Sequence, residues 1–225
     1  MLFRELGTPW LEKYLPAVII HVLELVASPR AIPSHIEAVY SRKCITFILH
    51  SVLFGMLPES GQILAMKELC KIITKQMDLV HHIVTNEPSS DVTSNPDVIN
   101  TQHVLVCALN SVASLALNLS SSVESLLIDK VANAVLSVLI HPAPAAWLSA
   151  AWCIRCCALA VPRVLTHFMD ICMKKMNSLK ASPDALTGYG HTLAAMIGGL
   201  HQCPLGIPYK KAKVIHMQCV ILNVT

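Results

Sequence analysis

Apolar residues recur along this chain in steps of three and four. Over 60–84 the positions Ile63, Met66, Cys70, Ile73, Met77, Val80 and Val84 form one stripe, with Lys67, Lys71, Lys75, Asp78 and His82 on the other side. That spacing predicts an amphipathic helix with one buried face. Leu105, Leu109, Val112, Ala116 and Leu119 repeat the pattern, with Asn110, Ser114 and Asn118 outward. Helix starts are marked as well. Ser34 with Glu37 and Ser121 with Glu124 read S-x-x-E, the reciprocal cap of a helix N-terminus. Thr8-Pro9 and Ser182-Pro183 place a capping residue before a proline at the first helical position, where the missing N–H costs nothing. The pattern predicts about nine helices, near 9–14, 16–27, 34–56, 61–84, 97–119, 122–141, 144–160, 162–179 and 183–200. No alternating run makes a strand, so the fold class is all-α.

One segment breaks the rhythm. Residues 86–102 read NEPSSDVTSNPDVINTQ, with two prolines and no apolar stripe in the first half. This reads as a flexible loop longer than most connections inside compact domains. The sharper alternative is a regulatory or partner-binding loop, phosphorylated at Ser89 or Ser90, and nothing in the sequence favours it. It separates helical repeats over 1–85 from helical repeats over 103–208, followed by a divergent tail over 209–225.

An internal repeat sharpens the architecture. Val22-Leu-Glu-Leu-Val-Ala-Ser-Pro29 aligns with Val135-Leu-Ser-Val-Leu-Ile-His-Pro142, and Arg42 and Arg155 follow the two prolines at equal distance. Ala38 and Ala151 match at the same offset, as do Cys44 and Cys157. The offset of 113 residues is close to three periods of about 38, near the roughly 40–47 residues of HEAT or armadillo units. The fold expected is an α-solenoid of HEAT/armadillo-like antiparallel helix pairs. Each inner pair of a solenoid buries one side on the unit before it and another on the unit after.

Composition agrees. Hydrophobic residues make up 54% and charged ones 14%, where a soluble domain averages about 25% charged. Aromatics are only 5%, so the apolar mass is aliphatic, and disorder is excluded. Small residues over 145–153 permit close helix approach. Membrane spans are less favoured: 15–27 carries His21 and Glu24, and 147–161 carries Arg155 near its middle, where charge is costly in lipid. A helical integral membrane protein fragment stays the alternative. The formal charge of +3 is small, and neither Lys174–Lys175 nor Lys210, Lys211 and Lys213 is interleaved with base-stacking aromatics, so no nucleic acid is expected as a partner.

Candidate chemistry is sparse. Cys153, Cys156 and Cys157 form C-x-x-C-C on a predicted helix, but structural zinc needs four ligands and no second pair follows. Core packing is the better reading, as it is for Cys44, Cys70, Cys107 and Cys172. The nine cysteines are an odd number, and the start carries Arg4, Glu5, Glu12 and Lys13, unlike a secretory signal. In a cytosolic chain the triplets at Asn118 and Asn223 carry no glycan. His21, His50, His81, His82, His103 and His167 are dispersed, and His191 and His201 do not share a helical face. There is no nucleophile elbow, Walker loop or G-x-G-x-x-G, and Gly188, Gly190, Gly198 and Gly199 read as close-packing positions. No catalytic, cofactor-binding or metal residues are expected, and the chain is read as not an enzyme.

The stretch 142–160, with an early proline and then Arg155 in an alanine-rich run, resembles a HEAT unit. Ala38-Val-Tyr-Ser-Arg-Lys-Cys-Ile-Thr-Phe-Ile-Leu49, Gly199-Leu-His-Gln-Cys-Pro-Leu-Gly-Ile-Pro208 and Leu179-Lys-Ala-Ser-Pro183 resemble the HEAT repeat-containing protein five family. The likeness covers roughly 6–208. It implies a cytoplasmic scaffold, peripheral to the trans-Golgi network, endosomes and endocytic vesicles, in endosome-to-Golgi transport and endocytosis. The partners implied are aftiphilin, γ-synergin and clathrin adaptor components, with membrane association only through them. Members of that family are several times longer, which implies a fragment or truncated form here.

Overall fold

The computed structural model describes residues 2–27, 35–86, 92–179 and 182–202. These residues form seven helical stretches and no strand. They are α1 (Leu2–Ala27), α2 (His35–Gly55), α3 (Glu59–Asn86), α4 (Pro96–Ile140), α5 (Pro144–Ala160), α6 (Leu165–Ser178) and α7 (Pro183–Gly198). The all-α reading therefore holds, with seven stretches in place of nine. Contacts divide the chain into two compact units, Met1–Leu115 and Ala116–Thr225.

Both differences in count have a local cause. The expected helices 9–14 and 16–27 are one, because Leu11, Leu15, Ile19 and Leu23 form a buried row that runs past Pro16. A shared buried face outweighs the single hydrogen bond that an internal proline removes. The true break comes earlier, at Gly7, whose φ of 78° lies in the left-handed region. Thr8 then uses its hydroxyl on the Met56 carbonyl at the end of α2, 3.3 Å away.

The expected helices 97–119 and 122–141 likewise join within α4. Ser120 has φ 47°, and the chain continues through a 3₁₀ turn, Ser120–Val123, and a π turn, Leu127–Val131. Ser121 lies inside the 3₁₀ turn and makes no cap. The expected Ser121–Glu124 capping box is therefore absent: the Glu124 N–H is taken by the Ser121 backbone carbonyl within that turn. Its counterpart Ser34–Glu37 falls partly outside the described residues.

One start signal acts as expected. Ser182 accepts a hydrogen bond from the Ala185 amide at 3.4 Å, with Pro183 opening α7. Asn95 caps α4 by accepting from the Asp97 N–H at 2.9 Å, just before Pro96. Helix therefore claims 96–102, and the loop expected over 86–102 is shortened from its C-terminal side; 87–91, with Ser89 and Ser90, lie outside the described residues. Replacing Asn95 by Ala is expected to cost about 1 kcal/mol in denaturant unfolding, and Asn95→Asp to cost much less.

In the first unit α1, α2 and α3 pack on one another. On α3 the expected row Met66, Cys70, Ile73, Met77 and Val80 is buried, while Ile63 is half-buried and Val84 exposed. In the second unit α5 packs chiefly on α7, and α6 packs on both. Early in α4, Val104, Leu105, Cys107, Ala108, Leu109, Ser111, Val112, Ala113 and Leu115 are all buried. This helix hides most of its circumference. Pro96–Ile140 is also long and apolar enough to cross a membrane, and 61% of its most apolar window is buried inside the fold.

Candidate functional site

Every buried cysteine is a core thiol. Among the described residues Cys70, Cys107, Cys153, Cys156, Cys157 and Cys172 are buried and Cys44 is exposed. Burial pushes the Cys107 and Cys156 thiols up to about 11 and Cys172 to about 12. A thiol held that high carries almost no thiolate at neutral pH, and the thiolate is the nucleophile and metal ligand. Cys153, Cys156 and Cys157 of the C-x-x-C-C motif are all buried on α5, and no group of three His, Cys, Asp or Glu among the described residues is placed to share a metal ion.

The histidines do different things. His103 on α4 accepts a hydrogen bond from Arg42 Nη1 at 2.8 Å, and burial, followed by the Arg42 charge, lowers its pKa. A neutral imidazole beside a guanidinium is a structural clamp between α2 and α4, strengthened where the Cys107 thiol approaches the Arg42 carbonyl at 3.9 Å. His141, just before α5, is 1% exposed. His81 and His82 are exposed at the end of α3, beside Asp78, Thr85 and Asn86 on a shallow concavity made by that helix alone. Trp147 and His191 bring α5 and α7 together, with ring centroids 4.9 Å apart.

The repeat partner of Arg42 is placed differently. Arg155 lies over the Trp152 ring at 5.3 Å, and its Nε is buried without a hydrogen-bond partner. Gly199 leaves room for it, since a Cβ there would stand 3.4 Å from Nε. Cys44 and Cys157, matched in sequence, are exposed and buried respectively. Ala38's side chain and Pro29 lie outside what is described.

What the sequence reading missed is on α2. Ile45, Leu49, Val52 and Leu53 bury one side. On the opposite side Ile36 is 80% exposed, Tyr40 68% and Phe47 72%. Phe54 continues the line half-buried, stacked against His50 at 4.5 Å. These positions fall on one helical face in alternating steps of four and three, the seam of a coiled coil. The 4-3 spacing was present in the sequence, but α2 is apolar on two opposite sides, so no single stripe stood out. Exposed aromatics aligned along a helix mark a recognition surface more often than scattered ones do.

In comparisons with known proteins, no family model and no solved structure matches this chain.

Proposed function

We propose that the chain is a non-enzymatic interaction scaffold, a segment of an α-solenoid of HEAT/armadillo-like helix pairs acting in clathrin-adaptor-linked vesicle trafficking. The observation that carries the scaffold reading is the outward face of α2, where Ile36, Tyr40 and Phe47 meet solvent. Solvating large apolar side chains in a line is unfavourable, and a partner helix laid along them removes that surface from water. The solenoid arrangement draws support from the repeat: α1 and α4 each end before the matched prolines, and the matched arginines fall on α2 and α5. Burial around most of α4 is also what an inner solenoid helix needs.

The trafficking role, the cytoplasmic location beside trans-Golgi and endosomal membranes, and the partners aftiphilin, γ-synergin and clathrin adaptor components rest on the family resemblance. Affinity purification of the chain from cytosol is expected to recover adaptor or synergin-type proteins. Their absence, with the chain folded and soluble, sinks the trafficking role. The length and hydropathy of Pro96–Ile140 favour a second reading, a helical integral membrane protein fragment. Retention of the chain in the membrane pellet after alkaline extraction would decide for that reading and against the scaffold.

A further inference from the structure

We infer that the outer face of α2 receives an amphipathic helix of a protein partner that carries a carboxylate opposite Lys43. The inference rests on the scaffold reading and specifies its docking site.

Ile36, Tyr40, Lys43, Phe47, His50 and Phe54 succeed one another by four, three, four, three and four residues. This is a continuous a/d seam spanning about 27 Å at 1.5 Å per residue, room for about five turns of a second helix. Four of its members are apolar and aligned. Lys43 sits at the centre, exposed and without an ion-pair partner among the described residues. Arg42, its neighbour, is turned away and committed to His103. Glu37, the one carboxylate of α2, falls off the seam, roughly a third of a turn from Lys43 on a 3.6-residue helix.

The composition of the seam selects its occupant. Its apolar members exclude a purely polar partner. Its central ammonium, once covered, is a costly uncompensated charge unless a carboxylate faces it. A second copy of this chain does not supply one. Parallel self-pairing sets Lys43 against Lys43, and antiparallel pairing about the middle of the helix sets it against Phe47. The occupant that satisfies every position is a helix with apolar a/d residues and an Asp or Glu facing Lys43.

The test uses the full chain and a synthetic helical peptide of about 20 residues with leucine at its a/d positions and one central Glu. Titration by fluorescence anisotropy is expected to show saturable binding. Exchanging the central Glu of the peptide for Lys is expected to weaken binding about tenfold, and Lys43→Glu in the chain is expected to reverse that preference. Phe47→Ala is expected to weaken binding about thirtyfold. Both changes lie on exposed positions, so circular dichroism and the unfolding midpoint should stay at wild-type values. Equal binding of the Glu and Lys peptides overturns the inference. So does self-association of the chain that Phe47→Ala abolishes, or binding to anionic phosphatidylserine vesicles that depends on Phe47 while no peptide binds. Peptide binding without adaptor recovery removes the trafficking role and leaves the seam standing. Adaptor recovery indifferent to Lys43→Glu and Phe47→Ala keeps the scaffold and removes the seam.

Discussion

Gly188→Ala is expected to destabilise the second unit by about 3 kcal/mol or more, while Gly190→Ala two residues along α7 is neutral or stabilising by up to about 1 kcal/mol. The two glycines share a helix and a residue type, and only their surroundings differ. A Cβ at Gly188 would overlap the Leu139 carbonyl oxygen and stand 2.9 Å from its carbonyl carbon. The obstacle is backbone, so no rotamer change relieves it; α7 must move off the last turn of α4. That movement would also disturb the Tyr189 hydroxyl, which donates to the Leu136 carbonyl at 3.4 Å. At Gly190 nothing lies within 4 Å of the added methyl, so alanine brings only its better helix propensity. Urea unfolding of the two variants measures the contrast. Equal midpoints would show that α7 does not approach Leu139 as described.

Acid is expected to weaken the fold between about pH 6.5 and pH 4 through His141. Its Nδ1 accepts the Ala143 N–H at 2.9 Å, and that bond orders the turn leading into α5. Burial lowers its pKa from 6.5 to about 4. The sign follows directly. Above pH 6.5 the ring is neutral in both folded and unfolded chains, and the full stability is present. Below it the unfolded chain takes up a proton that the fold refuses, and stability falls until about pH 4. The loss is about 3 kcal/mol. His103, also lowered by burial, adds to it in the same direction. His141→Asn retains an acceptor for the Ala143 amide and cannot titrate in this range. Its stability is therefore expected to be much flatter from pH 7 to pH 4 than that of the unaltered chain. A variant with the same acid slope would assign the loss elsewhere.

The helical class and the inward row of α3 were legible because polar and apolar residues there separate onto two sides. So was the start of α7, where Ser182 precedes Pro183. Junctions were not. Pro16 looked like a boundary, yet the buried row on both sides of it carries α1 through. Ser121 looked like a cap, yet it lies inside the 3₁₀ turn that begins at the left-handed residue Ser120. Such outcomes depend on what lies across from a residue, which local spacing does not encode. The glycine readings divide in the same way: Gly188 occupies a tight place, while a Cβ at Gly199 would make ordinary contacts and one at Gly190 none. His141 gave no local sign of burial, and the outer seam of α2 was masked by the equally apolar inner side of the same helix.

Cys44 has a practical consequence. It is the exposed thiol among the seven described cysteines, and it stands at the margin of the α2 seam, one turn from Tyr40 and just before Phe47. The other six are enclosed in the fold. Among the described cysteines a maleimide dye therefore has its favoured point of attachment beside the docking face. Slower labelling in the presence of a ligand would report coverage of that face in real time.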